Sequence, residues 1–360
     1  MQRALELAQA SAGLARPNPT VGAVLVKDGE IISEGTTEPS GVHAEVVAIR
    51  KAGPDANGAT LYVTLEPCCH YGKTPPCTDE VIRAGVASVH MAMLDPNPLV
   101  SGQGSELLAA AGITTAVGAG EEIAQRLYET HAKYITAGTP FITAKYAMSL
   151  DGKIATRSGS SQWITGPEAR QYAHTLRGVN DAIVVGIGTA IADDPLLTAR
   201  TDQGELLSLQ PLRVIVDTHG RLPVESRVLC QPGRTLIVCS SIAQDKKLQL
   251  EQSGAEILQL SSNEAGVDLA ELLEALGRMQ ITSALVEGGA ALLGSLFDQN
   301  LVDKVVAFVA PKIIGGKTSL TAVAGVGVDL VGEAINIELA EMKLLGPDMV
   351  IEGYPGGGRV

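Results

Sequence analysis

The sequence predicts a two-domain α/β protein, and three observations lead there. The chain runs to 360 residues, beyond the ~250–300 at which a single hydrophobic core stops growing. Its apolar share is 45% but its aromatic share only 3%, so the cores are built from Ala, Val, Ile and Leu, as in aliphatic strands covered by helices. Strand-like and helix-like patterns alternate along the chain, punctuated by 40 glycines, which is the order of sheets layered with helices.

The elements follow in turn. "MQRALELAQASAGLA" has helical spacing, and Glu6 and Gln9 interrupt any apolar run, so it reads as a surface-docked helix and not a signal peptide. "AVLVKDGEIISEG" alternates about Asp28-Gly29, a β-hairpin signature. "HAEVVAIRKAG" is a helix stopped by Gly53. "ATLYVTLEP" is a strand ending at Pro67, and "PPCTDEVIRAG" a helix entered through prolines, where a missing N–H costs nothing. The strand "GVASVHMAML", the turn "DPNP", a helix at "SELLAAAG", the strand "ITTAVG" and one helix over 121–137 complete the first block. The turn-rich "AGTP", 137–140, marks the boundary, giving domains 1–138 and 139–360.

The second block opens with the strand "FITAKYAMSL", a helix near 167–177 and the buried strand "DAIVVGIG". Strands at 212–217, 235–239 and 255–260 follow, then a helix near 268–279, the strand "ITSALVEGG", a helix over 290–298 and the strand "KVVAFVAP". "IELAEMKLLGPDMVIEGY" closes the chain as a hairpin. Parallel crossovers plus a terminal hairpin predict a mixed sheet.

Composition excludes several function classes. A net charge of −13 repels phosphate backbones and anionic lipid, so no nucleic-acid partner is expected and a small-molecule substrate is. No stretch approaches the ~20 apolar residues of a membrane span. The five cysteines are odd in number and clustered at 68, 69 and 77, which suits a reducing, cytoplasmic compartment and metal or catalytic thiols rather than disulfides.

His43, Glu45, Cys68 and Cys77 carry the first chemistry. One imidazole and two thiolates suit zinc, and a catalytic zinc keeps its fourth position for water. Cys77 follows Pro75-Pro76 into a helix start, where thiolates are stabilised. Residues two apart on a regular helix diverge, so His43 and Glu45 face one metal only if His43 sits at the cap. A closed structural site, with Cys69 or His70 as fourth ligand, is the alternative; Cys69, adjacent to Cys68, reads as a bystander.

"HAE" followed by "PC" and a second cysteine resembles the zinc-dependent cytidine/deoxycytidylate deaminases, in which a glutamate that is not a ligand moves protons. Most of that superfamily places two residues between its cysteines; here eight separate Cys68 from Cys77. With "RPNPTVGAVLV", "HYGKTPPC" and "DPNP", this spacing resembles the deaminase half of the bifunctional riboflavin-biosynthesis deaminase/reductases. The resemblance implies a cytidine-deaminase-like α/β/α domain with Zn²⁺ on His43, Cys68 and Cys77, Glu45 as catalytic acid/base, and Asn18, Lys73, Asp95 and Asn97 holding the substrate. Family members often carry a histidine just after the hairpin. This chain reads "GTTEPSG" there, so that role is not carried over.

In the second block, "VVGIGTAIADDP" lacks the third glycine of the common dinucleotide fingerprint. "LVEGGAALLGSLF" is better: a buried strand runs through Gly288-Gly289 into a helix, so a phosphate can approach backbone N–H groups. The ordered set "KYAMSLDGKIA", "SQWITG", "LRGVNDAIVVGIGT", "DDPLLTAR", "VEGG" and "APKIIGG" resembles the reductase half of the same family. It implies a dihydrofolate-reductase-like mixed-sheet domain that binds NADPH. Ala147, Trp163, Thr189, Asp193, Thr218 and the run Gly289, Ala290, Ala291, Leu292, Leu293, Gly294 and Ser295 would line the cofactor. Ser161, Arg177, Leu197, Arg200 and Glu287 would meet the substrate. Arg177 and Arg200 suit a ribose phosphate, because a guanidinium fork matches its oxygens. No proton donor is evident. The resemblance also implies a homo-oligomer. A nucleoside or tRNA deaminase with an accessory domain, and a zinc-stabilised scaffold without turnover, are the competing functions.

Overall fold

In the computed structural model, Asp28 and Gly29 both adopt positive φ, 52° and 85°, as a two-residue hairpin turn requires. They join β1 (Gly22–Lys27) to β2 (Glu30–Thr36). The structure describes residues 1–71, 75–98, 100–264 and 266–356. The chain parts into two units, Met1–Gly138 and Thr139–Val360.

In the first unit, α1 (Gln2–Ala10) and α2 (Ala44–Ala52) pack on the hairpin. A Cβ on Gly35 would lie 2.2 Å from the Ala44 carbonyl oxygen, so glycine lets α2 settle directly onto β2. β3 (Thr60–Val63), α3 (Cys77–Arg83), β4 (Ser88–Met91), α4 (Gln103–Ala110) and β5 (Thr114–Val117) follow. Among the described residues they form a five-stranded sheet in the order β2-β1-β3-β4-β5. β1 pairs antiparallel with β2 and β3, and the β3–β4 and β4–β5 pairs are parallel. Leu25, Leu61, Val63, Val89 and Met91 fill its core.

Two expectations need correction here. The strand at "ATLYVTLEP" ends at Val63; Thr64 makes one last backbone bond to Gly22, and the chain then leaves the sheet toward Glu66 and Cys68. The single helix over 121–137 is two, α5 (Glu121–Leu127) and α6 (Glu129–Ala137). They break at Tyr128, whose buried hydroxyl lies 2.5 Å from Thr64 Oγ1 and donates to the Thr20 carbonyl at 3.3 Å.

The second unit runs β6 (Phe141–Ser149), α7 (Pro167–Val179), β7 (Ala182–Gly186), α8 (Ile187–Asp193), β8 (Leu212–Val216), β9 (Thr235–Cys239), α9 (Gln244–Gln252) and β10 (Ala255–Gln259). A short hairpin, β11 (Ser262–Asn263) and β12 (Gly266–Val267), precedes α10 (Leu269–Arg278), β13 (Ser283–Glu287), α11 (Ala290–Asp298), β14 (Lys304–Ala310), β15 (Ile337–Leu345) and β16 (Asp348–Pro355). The main sheet has nine strands among the described residues, ordered β10-β9-β8-β7-β13-β6-β14-β16-β15. It is parallel as far as β14 and antiparallel through the terminal hairpin. Val184, Val214, Leu236 and Val286 on one face meet Leu272, Leu276 and Leu293 from the helices. The mixed sheet was expected. α8 and α9 were not: α8 is a short run of seven residues that follows β7 without a break, and α9 buries only Leu250 and so shows no apolar stripe.

Candidate active sites

His43 is the N-cap of α2, with extended backbone (φ −75°, ψ 153°), and Glu45 lies in the first turn. This break in the helical path turns both side chains toward the start of α3, where Pro76 caps and Cys77 begins the helix. His43 Nδ1 lies 3.0 Å from Cys77 Sγ and 3.5 Å from Cys68 Sγ. The Cys77 amide donates to Cys68 Sγ at 3.3 Å. The ligand atoms of His43, Cys68 and Cys77 all lie within 4.8 Å of one another, and Cys69 stands outside that group.

The electrostatics suit a cation. The hydrogen bond from Cys77, then those from His43 and the Cys77 amide, draw the Cys68 thiol down to about 4 against the cost of burial. The neighbouring sulfur and burial push Cys77 the opposite way: one thiolate forms readily, and a second next to it calls for a positive ion. Cys68 likewise raises His43. Glu45 is buried, which pushes its carboxyl up to about 7. Half-buried Cys69 is also raised, chiefly by burial.

The substrate-side residues are placed less uniformly. Asp95 Oδ1 accepts from the Asn97 amide at 2.8 Å, closing the "DPNP" turn. Asn18 is exposed, and its Nδ2 lies 3.9 Å from where a Cβ on Gly41 would be. Lys73 lies outside the described residues. Two residues that sequence reasoning missed hold this turn. Buried Glu66 accepts from the amides of Asp95 (3.1 Å), Gly102 (2.8 Å) and Ser105 (3.0 Å), and His131 Nε2 lies 3.4 Å from Asp95 Oδ1. Glu66 immediately precedes Pro67-Cys68, so one carboxylate ties the metal loop to the turn. Glu66→Gln puts an NH₂ group against backbone donors, and an unmet buried donor costs about 1–3 kcal/mol. We expect a lower denaturant midpoint and a raised KM for the substrate of this site; an unchanged midpoint would show that the three bonds are dispensable.

In the second unit, Glu287 ends β13 and pairs in register with Lys145 of the parallel neighbour β6. Arg177 grips it through both nitrogens, Nε to Oε1 at 2.6 Å and Nη2 to Oε2 at 2.8 Å. Burial alone would raise Glu287, but the charge and hydrogen bonds of Arg177, with Lys145 beyond, hold it at about 2. Lys145, half-buried and given no role from sequence, is lowered by desolvation against the pull of Glu287. The Arg177 fork is thus spent on Glu287. Arg200 donates to Thr198 Oγ1 and the Gly204 carbonyl.

Gly288 and Gly289 have φ of 57° and 77°, and a Cβ on Gly289 would meet Thr189 Oγ1 at 2.8 Å. The Thr189 hydroxyl therefore stands directly against the start of α11, at a position where only glycine leaves room, and the backbone N–H groups of a helix start are of the kind that receive phosphate. Ser161 Oγ donates to Asp193 Oδ1 at 3.1 Å. Thr218 lies beside Gly266, and its carbonyl accepts from the Ser240 and Ser241 amides. Ala147 packs half-buried on Val306 and Phe308. Ala290, Ala291 and Ser295 reach the surface, whereas Leu292 and Leu293 enter the core and Gly294 packs on the backbone of Ala324. Leu197 is buried at φ 51°. For Leu197, Leu292, Leu293 and Gly294 only the backbone is placed to meet a ligand.

The first unit is thereby built as a zinc-dependent hydrolytic deaminase, and the second as a nucleotide-using oxidoreductase. Comparison with known proteins agrees. The family model for the cytidine and deoxycytidylate deaminase zinc-binding region matches residues 1–93, and that for the RibD C-terminal domain matches residues 140–351. Riboflavin biosynthesis protein RibD of Aquifex aeolicus is 44% identical over 98% of this chain and 96% of its own, and that of Escherichia coli 39% identical over 98% and 97%. The structure of Acinetobacter baumannii RibD aligns with a TM-score of 0.86 at 36% identity, covering 98% of this chain and 97% of that one. The deaminase/reductase of Thermotoga maritima aligns equally well, TM-score 0.86 and 36% identity over 99% and 97%.

The chain belongs to the RibD family. It is a bifunctional enzyme of riboflavin biosynthesis that uses Zn²⁺ and NADPH. Its reactions are deamination of 2,5-diamino-6-(5-phosphoribosylamino)pyrimidin-4(3H)-one and reduction of the ribosyl chain of 5-amino-6-(5-phosphoribosylamino)uracil to ribityl.

Proposed function

We propose that residues 1–138 carry the deamination and 139–360 the reduction, and that the two sites described above do the chemistry. The convergence of His43 Nδ1, Cys68 Sγ and Cys77 Sγ beside a buried glutamate carries this reading. These three residues would hold Zn²⁺, a donor set that zinc accepts while keeping one position for solvent. The ion supplies Lewis-acid activation of water at neutral pH. Glu45 takes the water proton and delivers it to the departing amine, a task suited to a carboxyl poised near 7. Asp95, Asn97, Asn18 and Lys73 position the pyrimidine and its ribose phosphate.

In the second unit, the Gly288–Gly289 cradle, Thr189 and the start of α11 receive the diphosphate of NADPH. Trp163, Asp193, Ala147 and Thr218 line the rest of the cofactor site, and the cofactor supplies the hydride. Glu287, Ser161, Arg200 and the backbone at Leu197 hold the sugar, with Arg177 fixing Glu287 as an ionised acceptor. Placement of the cofactor against the sugar carbonyl carbon is the main requirement of hydride transfer.

Two further points belong to this reading. β15 is the outer strand of the sheet and exposes Leu339, Met342 and Leu344, the last at 71%. An apolar exposed edge seeks a partner, and a second copy of this chain supplies one, so we assign a homo-oligomer, measurable by sedimentation. Among the described residues no helix is long and apolar enough to cross a membrane, and the reduced thiol cluster suits the cytoplasm.

The test supplies the diamino-pyrimidine ribotide with and without NADPH, following ammonia and NADPH absorbance together. Ammonia is expected in both cases and NADPH oxidation only after deamination. Stripping the metal should stop ammonia release yet leave reduction of the directly supplied uracil ribotide intact. Continued deamination by metal-free protein would refute the assignment.

A further inference from the structure

Residues 163–166 show an unusual contrast. Trp163 is 64% exposed, yet its backbone is pinned from several sides. Lys312 Nζ donates to the Trp163 carbonyl at 2.9 Å and the Ile164 carbonyl at 2.6 Å. Arg170 Nη1 donates to the Thr165 carbonyl at 2.7 Å, and its guanidinium stacks 4.7 Å from the indole centroid. The Gly166 amide donates to Asp348 Oδ2 at 2.6 Å. Four successive backbone groups are thus held by three charged side chains, each brought from outside the segment.

Lys312 is the link between this strap and the turn after β6. Its carbonyl accepts from the Leu150 amide at 2.9 Å. Two and three residues on, the amides of Ile314 and Gly315 donate to the Asp151 carboxylate at 3.0 and 2.7 Å. Its ammonium then spans to the strap. A surface lysine ordinarily keeps its side chain mobile, because fixing one costs rotamer entropy. Here two charge-assisted bonds to adjacent carbonyls offset that cost. They fix the segment bearing an indole that finds little protein to cover it. A large apolar ring held rigid and open to solvent is a surface prepared for a planar ligand, since rigidity set in advance lowers the ordering cost of binding.

We propose that Lys312 is a positioning residue for the reductase cofactor: it fixes the 163–166 strap so that Trp163 meets NADPH already in place. This rests on the assignment of Trp163 to the NADPH site. Lys312 touches neither substrate nor cofactor in this account and acts through the strap.

Trp163 is the sole tryptophan of the chain, so its fluorescence reports the strap directly. Three variants of the full-length protein are compared: Lys312→Met, Lys312→Arg and Trp163→Ala. Lys312→Met is expected to lower the fluorescence anisotropy of Trp163 in the absence of NADPH. It should raise KM for NADPH about tenfold, the effect of losing one good charged hydrogen bond, with kcat within about twofold. Lys312→Arg, which keeps a cation and donors, should recover most of both. Trp163→Ala separates the two layers of the argument. If it leaves KM for NADPH unchanged, the placement of Trp163 at the cofactor is wrong and the proposal falls with it. If it raises KM while Lys312→Met leaves KM and anisotropy at wild-type values, the cofactor assignment stands and the role of Lys312 is overturned. A drop in melting temperature of Lys312→Met without a change in KM would mark a merely structural residue and also overturn it.

Discussion

Glu45→Gln is expected to lower ammonia release by about 10²–10⁴-fold, the range a positioned general acid/base supplies, while the protein keeps its zinc. The amide matches the carboxylate in size, so packing in the first turn of α2 is preserved. It can neither accept the proton from water nor return it to the amine. Zinc is expected to stay because the proposed ligand set is His43, Cys68 and Cys77, whose ligand atoms converge without Glu45. The variant should be no less stable than wild type. Burial raises the Glu45 carboxyl to about 7, which means the folded site disfavours its charge, and a neutral amide removes that conflict, as with many activity-bearing groups. Reduction of the uracil ribotide should be unaffected. The assay pairs metal analysis with ammonia release. Loss of zinc along with activity would make Glu45 a ligand, and activity within about tenfold of wild type would remove it from proton transfer.

The sequence made this site legible for a local reason. His43, Cys68 and Cys77 each sit where a helix or a proline turn fixes the backbone, so spacing and caps carry the geometry without knowledge of the rest of the fold. The need for His43 at the cap followed from the divergence of residues two apart, and that is where α2 begins. What stayed hidden is tertiary. Glu66 reads as an ordinary strand-end carboxylate until α4 and the "DPNP" turn bring three amides to it. Lys145 and Glu287 lie far apart in sequence and meet only because β13 pairs in parallel with β6. Lys312 looked like part of a loop motif, and its two carbonyl partners are about 150 residues upstream. The same limit applies within the run 289–295: the glycines flagged a phosphate cradle, but which of Leu292, Leu293 and Ser295 faces outward depends on how α11 packs on the sheet.

That buried charge cluster gives the second large effect. Arg177→Met keeps the aliphatic stem but removes the fork from Glu287, leaving Lys145 as the main opposing cation. Breaking a buried ion pair by removing one partner costs about 3–5 kcal/mol, and we expect a loss of that size at pH 7 in denaturant unfolding of the second unit. The pH dependence has a definite sign. In the wild type the folded-state carboxyl of Glu287 is held at about 2, below its unfolded value of ~4.3. Its contribution is therefore complete above ~4.3 and fades as pH falls toward 2. In the variant, burial is less opposed and the carboxyl rises, so the folded state prefers it neutral. The deficit between variant and wild type should be greatest near neutrality and shrink on acidification. Arg177→Met combined with Glu287→Leu removes that ion pair and should recover part of the stability, because an apolar pair of similar volume avoids the desolvation cost of the pair, while Lys145, which loses the pull of Glu287, keeps the recovery incomplete. It should not recover reduction: with Glu287 gone the sugar loses an ionised acceptor, and loss of such placement costs on the order of 10²-fold. Stability regained without activity is what separates a site residue from a scaffold pair. Should the double variant reduce the uracil ribotide at the wild-type rate, the Arg177–Glu287 pair would be scaffold alone and the substrate contact would have to be sought elsewhere along the C-terminal edge of the parallel strands.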